Sequence, residues 1–188
     1  ALNLDKLGDA LDHKVAFVSE DRRGVGLLLN ESIEQNIVFS AMQTNGRFLK
    51  KIGWFHLYDA AAAKVHATHM VETLDIRCTG IGQAAGRLSG GNQQKIVIAK
   101  WLLNDPDIII LDEPTRGIDV GAKRDIYLLL GKLVQQGKAV IMISSEIPEL
   151  MGICDRVLVM CEGNDSGEVK REDFSQERIM TLASAITV

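Results

Sequence analysis

Apolar positions change their period twice along this chain, and the changes predict its elements. Val15 to Ser19 (VAFVS) is a short continuous run of β-formers, the pattern of a buried strand. A charged turn follows, Glu20-Asp21-Arg22-Arg23, then Gly24 and Gly26. From Ser32 the spacing becomes helical through Ile33, Ile37, Val38 and Ala41, with Ser32 as the cap. Gly46 to Gly53 reads as a basic, glycine-bounded connection. Asp59 to Leu74 returns to helical period through Ala62, Val65, Met70, Val71 and Leu74. The stretch from about Ser32 to Leu103 is therefore expected to be mainly helical.

Beyond it the pattern alternates. Ile108 to Leu111 predicts a strand. Gly121 to Gln136 predicts a helix with Ile126, Leu129, Leu130 and Leu133 on one side and Gly137 as its stop. Ala139 to Ile143 and Arg156 to Met160 predict two more strands, and Pro148 opens a short helix between them. Gly163 to Gly167 reads as a turn, and Asp173 to Ser184 as a closing helix. Apolar strands alternating with helices predict an α/β fold whose parallel sheet is covered on both sides.

Composition narrows the partners. The 188 residues carry a net charge of −4, against nucleic acid as the main partner, because phosphate backbones want a basic face. No apolar run is long enough to span a bilayer, and no signal-peptide pattern opens the chain. Cys78, Cys154 and Cys161 lack metal-ligand spacing and read as reduced thiols. Ala1 stands where a start methionine is expected, so the chain reads as a piece of something longer.

Two motifs carry chemistry. In LSGGNQQK, Ser89, Gly90 and Gly91 precede a helical run from Gln93 to Leu103. Small residues with free amides at a helix N-terminus favour an anion. A plain glycine turn capped by Ser89 fits that local pattern equally well. The second motif is IIILDEPT. A buried parallel strand delivers Asp112 and Glu113 to the carboxyl edge of the sheet, where ligands bind. Aspartate there can hold Mg²⁺, and the adjacent glutamate can polarise a water. Solvated strand-end charges are the ordinary alternative. The two motifs standing one helix apart, with Asp119 just after, weigh against it.

LSGGNQQK resembles the signature motif of ABC ATPases, and IIILDEP resembles their Walker B strand with its catalytic glutamate. RGIDVGAK (Arg116 to Lys123) resembles the D-loop region of sugar-import ATPases. With VSEDRRGVGL, SSEIPELMG and DRVLVMCEG, the chain is similar from about Val15 to Ser184 to the C-terminal nucleotide-binding half of tandem ribose, galactose/methyl-galactoside and xylose import ATPases. That resemblance implies a P-loop NTPase core fragment with an inserted helical subdomain. Residues 32–103 would be the helical, signature-bearing part and residues 104–188 the Walker B core. It implies ATP and Mg²⁺. Ser89, Gly90, Gly91 and Gln93 would face nucleotide on the opposite ATPase domain. Asp112 would support Mg²⁺, Glu113 would activate water, and Asp119 would cross the dimer interface. Glu20 falls at the Q-loop position and Ser145 at the switch-histidine position. The implied partners are a second ATPase domain (the N-terminal half of the same polypeptide), transmembrane permease subunits and, indirectly, a periplasmic sugar-binding protein, with no nucleic acid. The implied place is peripheral, on the cytoplasmic face of the inner membrane.

Three departures matter. The phosphate loop G-x-x-x-x-G-K-[ST] does not occur: neither Gly131-Lys132 nor Gly137-Lys138 fits it. In the family that loop precedes the region of Val15. Ser145 stands in place of histidine, and Glu20 in place of glutamine. These suggest a degenerate local site, with the signature serving an intact site on the other half and the isolated chain inactive. Two other readings stay open: a non-catalytic regulatory half, and a soluble ABC ATPase of DNA repair or translation.

Among other candidates, His66 and His69 form an i, i+3 pair with no evident third ligand, so solvated or half-buried histidines are expected. Trp54 and Phe55 are expected to anchor in the core rather than to dock a partner. Arg22-Arg23 can grip phosphate, but a charged turn is the safer reading. Ser144-Ser145 lacks a nucleophile elbow.

Overall fold

The computed structural model describes Ala10 and residues 12–184. It divides into two compact units, Ala1–Ile143 and Ser144–Val188.

In the first unit, three strands form a parallel sheet: β1 (Val15–Val18), β4 (Ile108–Asp112) and β5 (Ala139–Ile143), in the order β1-β4-β5. Asp112 lies opposite Ile143 in this register. Ala16, Val18, Ile109 and Leu111 share one face and are buried. Helices α3 (Gly90–Leu102) and α4 (Val120–Gln135) pack on this sheet, α3 against β1 and α4 against β5. The opposite face differs from the expectation of two-sided cover. Phe17, Ile141 and Ile143 stay about half exposed. Their apolar character still satisfies the continuous-run pattern, which cannot tell a covered face from a bare one.

Helix α1 (Ile33–Asn45) begins where the sequence predicts. Ser32 Oγ accepts from the Gln35 amide at 3.1 Å, and Gln35 Oε1 accepts from the Ser32 amide at 3.0 Å. This reciprocal cap satisfies two otherwise orphan donors. The helix stops at Gly46, whose φ of 62° is the left-handed conformation glycine adopts freely. Ile33, Ile37, Val38 and Ala41 are all buried, as are Ile126, Leu129, Leu130 and Leu133 of α4.

Helix α2 (Ala60–Thr73) starts at Asp59, whose carboxylate accepts from the Ala62 amide. Its buried line is Ala63 and Ala67, not the predicted Val65, which is exposed. Small side chains allow α2 to approach α1 closely, and that outweighs the larger apolar surface of valine.

The segment read as a connection is instead a hairpin. β2 (Leu49–Ile52) pairs antiparallel with β3 (Phe55–Tyr58) around Gly53-Trp54. Gly53 has φ 61° at the first turn position, as a two-residue hairpin turn requires. Trp54 is 93% exposed and Phe55 73%, so the core-anchor expectation for this pair does not hold. His66 meets the Phe48 ring in a tilted contact, centroids 5.4 Å apart, while His69 Nε2 lies 3.5 Å from Thr73 Oγ1. Among the described residues no three His, Cys, Asp or Glu side chains cluster as a metal site.

In the second unit, β6 (Arg156–Cys161) does not extend a parallel sheet. It pairs antiparallel with β7 (Asn164–Lys170), joined by Glu162-Gly163 with φ of 49° and 81°. Two successive left-handed residues make the type I′ turn that matches strand twist. Helices α5 (Ile147–Ile153) and α6 (Gln176–Ala183) pack together in the same unit. Among the described residues no helix is long and apolar enough to cross a membrane.

Candidate functional site

The carboxyl ends of β1 and β4 bring three acidic residues into electrostatic range. Asp112 ends β4, Glu113 follows it, and Glu20 lies just past β1. The Asp112 carboxyl is held above its ordinary range, first by burial, then by the negative charges of Glu20 and Glu113. Glu20 in turn accepts from Arg116 at 2.9 Å. This loop reaches back from β4 to β1 across the sheet edge. A divalent cation fits here: a carboxylate whose charge is disfavoured by neighbouring carboxylates gains when a positive ion arrives. Mg²⁺ needs only one or two protein carboxylates, with phosphate oxygens and water completing its shell.

Glu113 carries a feature that spacing does not reveal. Its φ is 44°, a left-handed backbone that costs a non-glycine residue about 1 kcal/mol. Two main-chain bonds hold it there: its amide donates to Ile143 O at 2.9 Å, and its carbonyl accepts from the Arg116 amide at 3.1 Å. Such over-determined strain concentrates at functional positions.

Raised carboxyl pKa values have a stability consequence. For Asp112 the folded value exceeds the unfolded one, so folding favours the protonated form and the penalty is absent at low pH. It grows as pH rises through the folded-state value. Asp112→Asn should therefore raise the melting temperature of the metal-free chain at pH 7. The gain should shrink as pH falls through the carboxyl range. A thermal-melt series from pH 4 to 8 checks this, and an equal gain at every pH would refute the electrostatic cause.

The LSGG segment lies in the same unit. Ser89 is the exposed N-cap residue of α3, Gly90 is half-buried and Gly91 is buried. Ser89 Oγ accepts from Asn92 Nδ2 at 3.0 Å, and Asn92 Oδ1 accepts from the Arg77 amide at 2.9 Å. A Cβ built on Gly90 would lie 3.2 Å from Gly117 O, and one on Gly91 would lie 2.4 Å from Ala122 Cβ. The glycines thus let the start of α3 lie against the loop after β4 and the start of α4. Asp119 caps α4 through the Ala122 amide at 2.9 Å and is otherwise exposed.

Two polar residues of the motif turn inward. Gln93 is 3% exposed, and its Nε2 donates to Leu88 O at 3.1 Å and lies within 3.5 Å of Ala85 O and Gly86 O. It braces the loop before α3. Lys95 is also buried: its Nζ donates to Asp75 O at 3.0 Å and pairs with Asp125 at 3.2 Å. Lys95 thereby ties α3 to α4. Ser145 is exposed in the second unit, after β5.

The family profile described as ABC transporter matches residues 5–116. A putative ribose/galactose/methyl galactoside import ATP-binding protein of Burkholderia lata is 51% identical over 94% of this chain and 33% of its own length. The xylose import ATP-binding protein of Thermoanaerobacter pseudethanolicus is 46% identical over 97% and 35%. The ribose import ATP-binding protein of Clostridium tetani is 43% identical over 99% and 36%. The chain spans about a third of the length of these curated relatives. Among solved structures, the dimeric post-hydrolysis state of the ATP-binding cassette MJ0796 bound to ADP and Pi matches with TM-score 0.69 at 22% identity, over 92% of this chain and 70% of that one. The ATP-binding cassette MJ1267 matches with TM-score 0.74 at 18% identity, over 96% and 72%. Likeness at such low identity is one of fold. Taken with the sequence matches, it places the α/β fold of ATP-binding cassettes here, and the chain belongs to the ABC transporter family.

Proposed function

We propose that this chain is the signature and Walker B portion of the C-terminal ATPase half of a tandem ATPase that energises sugar import. Residues 32–103 form its signature-bearing part and residues 104–188 its Walker B core. One observation carries the reading: the start of α3, with Ser89, Gly90 and Gly91, packs on the same loop that leaves Asp112 and Glu113. One rigid segment thereby links a phosphate-facing glycine turn to an acidic strand end.

In this reading Asp112 supports Mg²⁺, which would neutralise charge on the β- and γ-phosphates. Glu113 orients and polarises the attacking water, and Ser145 occupies the switch position. Ser89, Gly90 and Gly91 stabilise the γ-phosphate bound by the N-terminal half. Asp119, exposed at the start of α4, crosses to that half. Transmembrane permease subunits take up the resulting motion beside a periplasmic sugar-binding protein, which places the chain on the cytoplasmic face of the inner membrane. Glu20 and Ser145, in place of glutamine and histidine, favour a chain that serves mainly as signature donor. Its own site is secondary.

Calorimetry tests the first part. No G-x-x-x-x-G-K-[ST] pattern occurs within the 188 residues, so this chain should bind Mg-ATP no tighter than about 1 mM. The full-length protein with its permease should hydrolyse ATP and respond to a sugar-loaded binding protein. Micromolar ATP affinity or turnover by the isolated chain would overturn the division of labour. Full-length turnover indifferent to permease would point to a soluble ATPase.

A further inference from the structure

Arg22 reads from sequence as part of a charged turn, but the structure gives it a separate place. It opens a five-residue π-helix, Arg22–Gly26, immediately after Glu20. Such helices are rare and concentrate at functional positions. This one is firmly held. Asp21 Oδ1 accepts from the Gly24 amide at 2.8 Å, and Asp21 O accepts from the amides of Val25 and Gly26 at 3.1 and 2.9 Å. Gly26 sits against Val97, and Gly26 O accepts from Lys100 Nζ at 2.7 Å. Val97 and Lys100 belong to α3, the helix that begins with the signature glycines. The π-helix is therefore fixed to α3, and any shift of one moves the other.

In that frame the Arg22 guanidinium lies directly against the signature. Its Nη2 is 3.3 Å from where a Cβ on Gly90 would stand. Its Nε is buried with no hydrogen-bond partner among the described residues. Burial, then the like charge of Arg23, lowers its pKa, so the cation is held at a cost. Arg23 itself is exposed. A structural arginine ordinarily relieves this cost with a carboxylate or carbonyls around its fork. The acidic residues just before it in sequence are engaged elsewhere: Glu20 accepts from Arg116, and Asp21 from the Gly24 amide. An arriving anion would offset this cost by its opposite charge.

We propose that Arg22 supplies positive charge to the signature site, drawing the γ-phosphate of nucleotide on the opposite ATPase domain toward Ser89 and Gly90. The inference rests on the reading of Ser89–Gly91 as a working signature. It makes the segment after β1 part of that site, as well as a link between sheet and signature.

The test uses the full-length protein with its permease. Arg22→Gln should lower kcat/KM for ATP by about 30-fold, the order expected for losing one charge-assisted phosphate contact. Arg22→Lys should stay within about threefold, because the charge persists, and Arg23→Gln should match wild type. Melting temperatures of all variants report on folding. Equal losses for Gln and Lys would mean packing alone and overturn the proposal, as would unchanged kcat/KM in Arg22→Gln. If Arg22→Gln does not accumulate, Arg22→Lys decides alone: a loss beyond about tenfold overturns the charge role. Ser89→Arg run in parallel separates the two levels. Full activity in Ser89→Arg would remove the signature reading itself, whereas its inactivity with a normal Arg22→Gln would remove only this inference.

Discussion

Arginine in place of Ser89 should abolish ATP hydrolysis by the full-length protein, by about 10³-fold, the upper range for losing a phosphate-stabilising donor. Ser89 is the exposed residue at the start of α3, with extended φ/ψ of −61° and 157°. The next residue is crowded: a Cβ on Gly90 would stand 3.2 Å from Gly117 O and from Ile118 Cγ2, and 3.3 Å from Arg22 Nη2. In the proposed reading, a long cationic side chain at the exposed position 89 would reach into the space a γ-phosphate would fill. The same variant loses the hydroxyl that Asn92 holds in place. Glu113→Gln should cost no more than about tenfold in the same background, because in the proposed reading Walker B would serve the domain's own nucleotide while the signature would serve its partner's. Steady-state ATPase rates of the two variants, with melting temperatures as the folding control, provide the comparison. Equal losses would eliminate the asymmetric reading and restore two equivalent sites.

What was legible in the sequence follows from which residues had to answer a single physical demand. The buried faces of α1 and α4 were readable because apolar side chains recur on them at 3.6-residue spacing, between a polar cap and a glycine stop. β4 and β5 were readable as apolar runs, and the acidic residues at the end of β4 followed from where a parallel strand delivers its last side chain. The β2–β3 hairpin was not, since β3 and most of β2 are exposed and no alternation of buried and polar positions marks them. β7 hid for a related reason: NDSGEVK is polar, and its pairing depends on two left-handed turn residues spelled Glu-Gly, not the usual Asn-Gly. Motif spacing singled out Ser89 to Gly91 as candidates but gave no sign of the inward turn of Gln93 and Lys95. Polar residues on a short helical stretch carry no mark of which ones find buried partners. The φ of Glu113 and the placement of Arg22 are products of tertiary contacts, so local pattern had no access to them.

Gly91→Ala should destabilise the chain by about 1–3 kcal/mol, the cost typical of forcing an extra methyl into a packed contact. It should also lower full-length ATPase activity by about 10²-fold, since displacements near 1 Å of a positioned group cost that much. Helix propensity alone predicts the opposite sign. Gly91 sits in α3, and alanine there would be better than glycine by about 1 kcal/mol. The two arguments therefore compete, and distance decides between them. A methyl on Gly91 would lie 2.4 Å from Ala122 Cβ, and that neighbour has no flexible end to move aside. Either α3 or α4 must retreat, carrying Ser89 and Gly90 with one or Asp119 with the other. The compensating change is Ala122→Gly. It removes the opposing methyl yet keeps the backbone amide that Asp119 caps at 2.9 Å. The double variant Gly91→Ala/Ala122→Gly should recover most of the activity and the stability beyond the propensity cost of the new glycine. A double-mutant cycle measured by denaturant unfolding should then show favourable coupling of about 1 kcal/mol or more, as expected for residues in contact. If the double variant is no better than Gly91→Ala, the close approach of α3 to α4 is not what the glycine provides. The link between the start of α3 and the loop after β4 would then have to run through the approach of Gly90 to Gly117 instead.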